Sequence, residues 1–203
     1  MIKPVATSLF LEPDRVYVQA QIVSLTREMA DNSIRRDWWD DPSLKPVFDE
    51  PQPIDRHWNW NDFDIEYEGE ILAPEKVAIV AGDDRAVQGA MMISIDPVPS
   101  MLDPGAKCLF IELLFTAPRN RPNLRRDGMG FLRAVGTELL IWGARFSRER
   151  GYGGRLRLDG SPDYLTWYQK RGLQPLGVKP ILFEGVSYTP MELSSKAADQ
   201  FLE

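Results

Sequence analysis

NLRRDGMGFLRAVG, residues 123–136, sets two arginines, an aspartate and two glycines where a long amphipathic pattern begins. Glycine in a helix costs about 1 kcal/mol against alanine, so Gly128 and Gly130 weaken the helix they are expected to open. Access compensates: a strand running into a glycine-opened helix bares backbone N–H groups at the positive end of the helix dipole, where side chains would keep an anion out. Arg125 and Arg126 add charge-assisted hydrogen bonds that suit a diphosphate better than a lone carboxylate. The same residues also read as helix-to-strand packing with solvated arginines. Phe131 and Leu132 stand where a P-loop needs lysine and then serine or threonine, and the three spaced glycines of a dinucleotide fingerprint are missing.

Working outward, KCLFIELLFTAP (107–118) is a near-continuous apolar run of the kind a strand buried on both faces shows. KVAIVAG (76–82) and VQGAMMISID (87–96) read as two strands separated by Asp83, Asp84 and Arg85. A helix is expected from Gly128 to Arg150, with Phe131, Val135, Leu139, Trp142 and Phe146 on one stripe and glycines at 151, 153 and 154 to stop it. RLRLDG (155–160) then reads as a short strand, DYLTWYQKRG (163–172) as a short helix, and VKPILFEG and VSYTPMEL (178–193) as two final strands. Near the N-terminus Val18, Ile22, Leu25 and Met29 have helical spacing, which predicts an early amphipathic helix after Pro13 and Asp14. From Asp37 to Pro74, prolines at 42, 46, 51, 53 and 74 forbid a long helix, while Trp38, Trp39, Trp58 and Trp60 argue for order.

The chain of 203 residues has ordinary globular composition, 43% hydrophobic and 27% charged, which makes one compact domain over 1–203 the default. A net charge of −6 argues against a protein that coats nucleic acid. Acidic residues crowd 37–70 and arginines crowd 119–171, so the charge is unevenly spread. Cys108 is the one cysteine, and His57 the one histidine, so neither a disulfide nor a cysteine- or histidine-rich metal site is expected. No segment approaches about 18 apolar residues, and Glu12, Pro13 and Asp14 cut short the first apolar run. The expectation is a cytoplasmic protein without a membrane partner; homo-oligomerisation stays open.

RRDGMG fits the pattern Arg-x-x-Gly-x-Gly. With FIELLFTAP before it and DYLTWYQKRGL after it, the chain resembles the GNAT superfamily of acyl-CoA N-acyltransferases over residues 76–193. The resemblance implies a single GNAT-like α/β (α+β) domain with a mixed, mostly antiparallel central sheet flanked by helices. Residues 76–193 would be its acyl-CoA-binding core, and 1–75 a divergent N-terminal part. It implies acetyl-CoA (coenzyme A) as cofactor, its diphosphate on Arg125, Arg126, Asp127, Gly128, Met129 and Gly130, and its pantetheine arm along Leu114, Phe115 and Thr116. It places a general base at Glu112, a carboxylate that is costly inside an apolar strand unless paired or bonded. It places an acid for the departing thiolate at Tyr168, in WYQKRGL. Ser161 stands where many members carry asparagine, a position that bears on the cofactor tail, and RNRPNL (119–124) lengthens the loop so that Arg119 or Arg121 shares the phosphate role.

The implied reaction is transfer of an acetyl group to a primary amine of a small molecule or a protein. Trp58 and Trp60, in the acidic segment, are candidates for an acceptor groove, since aromatic faces and carboxylates attract an ammonium; plugging a core is the alternative. Two other readings stay open: a non-catalytic acyl-CoA-binding or protein-interaction module of the same fold, and an RNA-associated protein using the arginine-rich face, which the net charge disfavours.

Overall fold

A computed structural model describes residues 2–42, 44, 65–67, 70–72, 74–83 and 85–203. In chain order the strands are β1 (Val5–Glu12), β2 (Val16–Ser24), β3 (Ile65–Tyr67), β4 (Glu70–Leu72), β5 (Glu75–Ala81), β6 (Ala86–Ile93), β7 (Val98–Pro99), β8 (Lys107–Thr116), β9 (Phe131–Arg133), β10 (Leu156–Gly160), β11 (Gln174–Pro175), β12 (Ile181–Phe183) and β13 (Val186–Leu193). The helices are α1 (Arg27–Met29), continued by a π-helix over Ala30–Asp37, then α2 (Val135–Glu149), α3 (Leu165–Gln169) and α4 (Ser195–Leu202). Eleven strands form one mixed, mostly antiparallel sheet flanked by helices, and β3 and β4 pair apart from it. Two compact units divide the chain, Met1–Met92 with Leu113–Leu139, and Ile93–Glu112 with Leu140–Glu203.

In the first unit the expected early helix is replaced by the hairpin β1–β2, in register from Val5↔Ile22 to Leu11↔Val16. Val18 and Ile22 are four apart, a spacing that satisfies both the helical period and the strand period of two. The remaining residues decide: Val16, Val18, Ile22 and Val23 are β-branched, and Gln19 and Gln21 alternate with inward Ala20 and Ile22. The sheet runs β6–β5–β2–β1–β9 through this unit. Val23, Ile34, Trp38, Val80, Val87, Met92 and Leu113 pack its core, each large apolar side chain contributing about 1.5–3 kcal/mol on burial. Trp38 also donates its indole N–H to the Val87 carbonyl at 2.8 Å, so the apolar π-helix end is fixed in orientation as well as buried.

In the second unit β10 lies between β8, its parallel partner, and β13, its antiparallel one. Leu109, Ile111, Leu156, Leu158, Met191 and Leu193 are buried there. The apolar run at 107–116 is a strand as expected, and the strand and helix at 155–172 appear as β10 and α3, preceded by a 3-10 turn at Pro162–Tyr164. Helix α4, which the sequence pattern did not announce, is capped by Ser194, whose hydroxyl accepts from the Ala197 amide.

Candidate functional site

The parallel pairing of β10 with β8 covers three steps, Leu156↔Leu109, Arg157↔Phe110 and Leu158↔Ile111. Side chains alternate along each strand. Leu156, Leu158 and Gly160 are buried on one face of β10, and Arg157 and Asp159 are half-buried on the other. On β8 the same alternation buries Leu109 and Ile111 and turns Phe110 and Glu112 to the face of Arg157 and Asp159. Burial, and after it the charge of Asp159, pushes the Glu112 carboxyl up to about 7. Burial also raises the Asp159 carboxyl, against the pull of Arg157. A carboxylate with Glu112's proton affinity accepts a proton near neutrality, as a general base must.

Tyr168 approaches β10 from the other side. A Cβ on Gly160 would meet Met191 Sδ at 2.8 Å, Leu165 Cδ2 at 3.1 Å and Tyr168 Cδ2 at 3.4 Å, so α3 packs on the face of Leu156, Leu158 and Gly160. Gly160 is required for that close approach. Tyr168 is 8% exposed, its ring edge-on to Trp167 at 5.0 Å. Burial, with Tyr164 adding to it, raises its hydroxyl well above the usual tyrosine range, so it stays protonated as an acid should. Glu112 and Tyr168 thus occupy opposite faces of the sheet where the β8–β10 pairing ends. Ser161 opens the turn before α3 and accepts the Tyr164 amide on its carbonyl at 3.0 Å.

The glycine-rich stretch, in the other unit, does not open the helix; α2 begins at Val135, seven residues after Gly128. Residues 131–133 pair instead with the edge of β1, as Glu12↔Phe131, Leu11↔Leu132 and Phe10↔Arg133. Gly128 has φ +79 and Ala134 φ +68, left-handed conformations that interrupt any helix. Gly130 faces the Glu12 carbonyl, 3.4 Å from where its Cβ would stand, so its missing side chain makes room for β1. Arg125 stacks its guanidinium 3.3 Å from the Phe131 ring centroid. Arg126 donates Nε–H to the Leu44 carbonyl at 2.8 Å. Asp127, Gly128 and Met129 line a cavity of about 260 Å³ with Arg125 and with Arg133, which is 3.2 Å from Glu12.

At the strand end, Thr116 accepts Nε–H of the buried Arg121 on its carbonyl at 2.8 Å, and Arg121 lies 5.5 Å from the Phe115 ring. Arg119 pairs with Asp41 at 3.4 Å. Both arginines offered by the longer loop are therefore engaged within the protein. Leu114 follows Leu113 on β8, half-buried. Trp58 and Trp60 lie outside the described residues.

The first turn of α2 also offers backbone amides. Its first internal bond runs from the Glu138 amide to the Ala134 carbonyl at 2.8 Å, so the Val135 and Gly136 amides precede the helix's own ladder. This helix start lies close to β6: a Cβ on Gly89 would be 2.6 Å from Val135 Cγ1 and 3.0 Å from the Phe115 carbonyl. Sequence reasoning missed Gly89, Ala134 and Gly136, and also Asp159. The small residues at 134 and 136 were the available signal for the helix start; for Asp159 the signal was a carboxylate in an otherwise apolar strand.

No protein-family model matches the chain, and no curated protein matches it. In three dimensions it is similar to the putative N-acetyltransferase from Lactobacillus plantarum, with TM-score 0.53 and 13% identity over 86% of this chain and 97% of that one. It is also similar to an uncharacterized protein from Bacillus halodurans, with TM-score 0.56 and 10% identity over 98% and 94% of the two chains. A GNAT family acetyltransferase from Elizabethkingia anophelis, solved with acetyl-CoA bound, is a looser likeness at TM-score 0.39 and 13% identity, over 60% of this chain and 76% of that one. These are likenesses of fold alone, a mixed α/β fold with a large, mostly antiparallel sheet flanked by helices. No helix among the described residues is long and apolar enough to cross a membrane.

Proposed function

We propose that the chain is an N-acyltransferase that moves an acetyl group from acetyl-CoA to a primary amine by direct attack. The observation that carries the reading is the placement of Glu112 and Tyr168 on opposite faces of the β8–β10 pair, just past its last paired step. Displacement of a thiol by an amine needs a proton acceptor and a proton donor within reach of the same carbon, and the two side chains flank the point where the paired ladder of β8 and β10 ends. The bound coenzyme supplies a thioester carbonyl carbon open to attack and a sulfur able to leave.

The donor set suits that coenzyme's diphosphate. The α2 amides at Val135 and Gly136 would hold it, and in the same unit Arg125 and Arg133, with Gly128 and Met129, line a cavity that offers cations to a phosphate. Leu114 to Thr116 would offer backbone groups to the pantetheine arm. Glu112 takes the proton from the acceptor nitrogen, directly or through water. Tyr168 gives its hydroxyl proton to the departing sulfur and regains one from solvent. The acceptor is a primary amine of a small molecule or a protein.

Thermal-shift and thiol-release measurements test this together. Acetyl-CoA and coenzyme A should raise Tm where an unrelated nucleotide does not, and thiol should appear when a panel of primary amines is added. Stabilisation without thiol release across the panel would leave an acyl-CoA-binding module; no stabilisation by either coenzyme would end both readings.

A further inference from the structure

Two neighbouring parallel strands each present a carboxyl group to the same face of the sheet at the step after their pairing stops. Leu158 pairs with Ile111, so the next residues along, Asp159 and Glu112, face the same side of the sheet, close enough for the charge of Asp159 to act on Glu112. Two carboxylates so placed cannot both ionise freely in a half-buried place.

The surrounding charges break the symmetry between them. Arg157 shares the face and the strand of Asp159, and its Nε–H is buried without a hydrogen-bond partner among the described residues. Across β13 in register, Glu192 stands opposite Arg157 and Pro190 opposite Asp159, and β11 places Gln174 opposite Glu192. Glu192 is already satisfied: it accepts from the Ser100 hydroxyl, from the Met101 amide at 2.9 Å and from the Leu102 amide at 3.2 Å. On β8 the residues preceding Glu112 on its own face are Phe110 and Cys108, whose thiol burial and Glu192 push up to about 12, leaving it neutral. Strand β6 carries no titratable side chain. Arg157 therefore favours charge on Asp159, and Asp159 disfavours it on Glu112.

We propose that Asp159 is a positioning residue for the transfer: with Glu112, on the same face one step past the paired residues, it forms a carboxyl pair that selects an acceptor arriving as a primary ammonium. The pair shares one proton, held on Glu112. The inference rests on the transferase reading for its substrate. A cation docking beside the pair releases the Glu112 proton to water. The ionised Glu112 then receives one proton from the acceptor nitrogen, whose lone pair becomes available, and charge and protons balance.

Carboxyl carbon resonances of the ¹³C-labelled chain, followed against pH, test the pair without coenzyme or acceptor. In the wild type the Glu112 resonance should show a second, smaller inflection at the Asp159 midpoint. In Asp159→Asn its midpoint should fall by about one unit yet stay above the ordinary glutamate value, because burial remains. Arg157→Met should raise the Asp159 midpoint. A single inflection in the wild type, or a Glu112 midpoint in Asp159→Asn within about 0.2 unit of wild type, overturns the pair; should Asp159→Asn not fold, Asp159→Ser is held to the same criterion. The acid limb of kcat/KM should move down with the resonance. A shifted resonance with no thiol release removes the transferase reading and leaves the pair, whereas thiol release with an unshifted resonance removes the pair alone.

Discussion

The ring of Tyr168 lies against Gly160 on one face of β10, while Asp159, with Glu112 one step past the paired residues, stands on the other. Substitutions at each side should therefore separate the two halves of the reaction.

Tyr168→Phe removes the hydroxyl and keeps the ring that packs on Gly160 and Trp167. Turnover should fall about 10²-fold with little change in acetyl-CoA affinity. Steady-state kinetics beside direct coenzyme titration checks it, and equal loss of both would show that the hydroxyl has a structural role instead.

Glu112→Gln should lower kcat/KM by about 10²–10⁴-fold and abolish the acid limb expected of the wild type near pH 7. It should also change stability in a defined direction. The folded-state value is raised above the unfolded one, so ionisation in the unfolded chain draws the protein apart as pH climbs from 4.5 to about 7. Glutamine does not ionise. The variant should match the wild type in Tm near pH 4 and exceed it at pH 8, as thermal unfolding at the two pH values will show.

Gly89→Ala puts a methyl group 2.6 Å from Val135 Cγ1 and 3.0 Å from the Phe115 carbonyl. Because one neighbour is the backbone of β8, relief requires β6 or β8 to shift as well as the Val135 side chain at the start of α2. The expected loss is about 1–3 kcal/mol in urea unfolding, together with weaker coenzyme binding if the first turn of α2 holds the diphosphate.

Ala134→Gly acts in the opposite sense. Ala134 has φ +68, a conformation that costs an L-residue about 1 kcal/mol and glycine almost nothing. The variant should gain up to about 1 kcal/mol in the same unfolding measurement. A loss would mean that the added freedom of the unfolded chain outweighs the relieved strain.

How much was legible follows residue by residue. The apolar run at 107–116 announced β8, and Glu112 stood out because a carboxylate in such a run is costly. Tyr168 was legible through its motif, and its burial follows from α3 being apolar toward β10. The early strands were missed, since the four-residue step from Val18 to Ile22 serves both periods; the β-branched residues around it and the hairpin partner settle the choice.

By itself, then, the chain's order of residues determined the central strands and the two short elements after α2, because local apolar periodicity carries that information, while Glu112 and Tyr168 were singled out through motifs that resemble a known family. Tertiary structure alone decided where α2 begins and which carboxylate stands beside Glu112. Phe131–Arg133 left the helix for the edge of β1, more than a hundred residues earlier in the chain. Asp159 reached Glu112 through a strand register set by Leu156↔Leu109 to Leu158↔Ile111. Both depend on hydrogen-bonded partners distant in sequence, and no local pattern specifies which edge a strand will find.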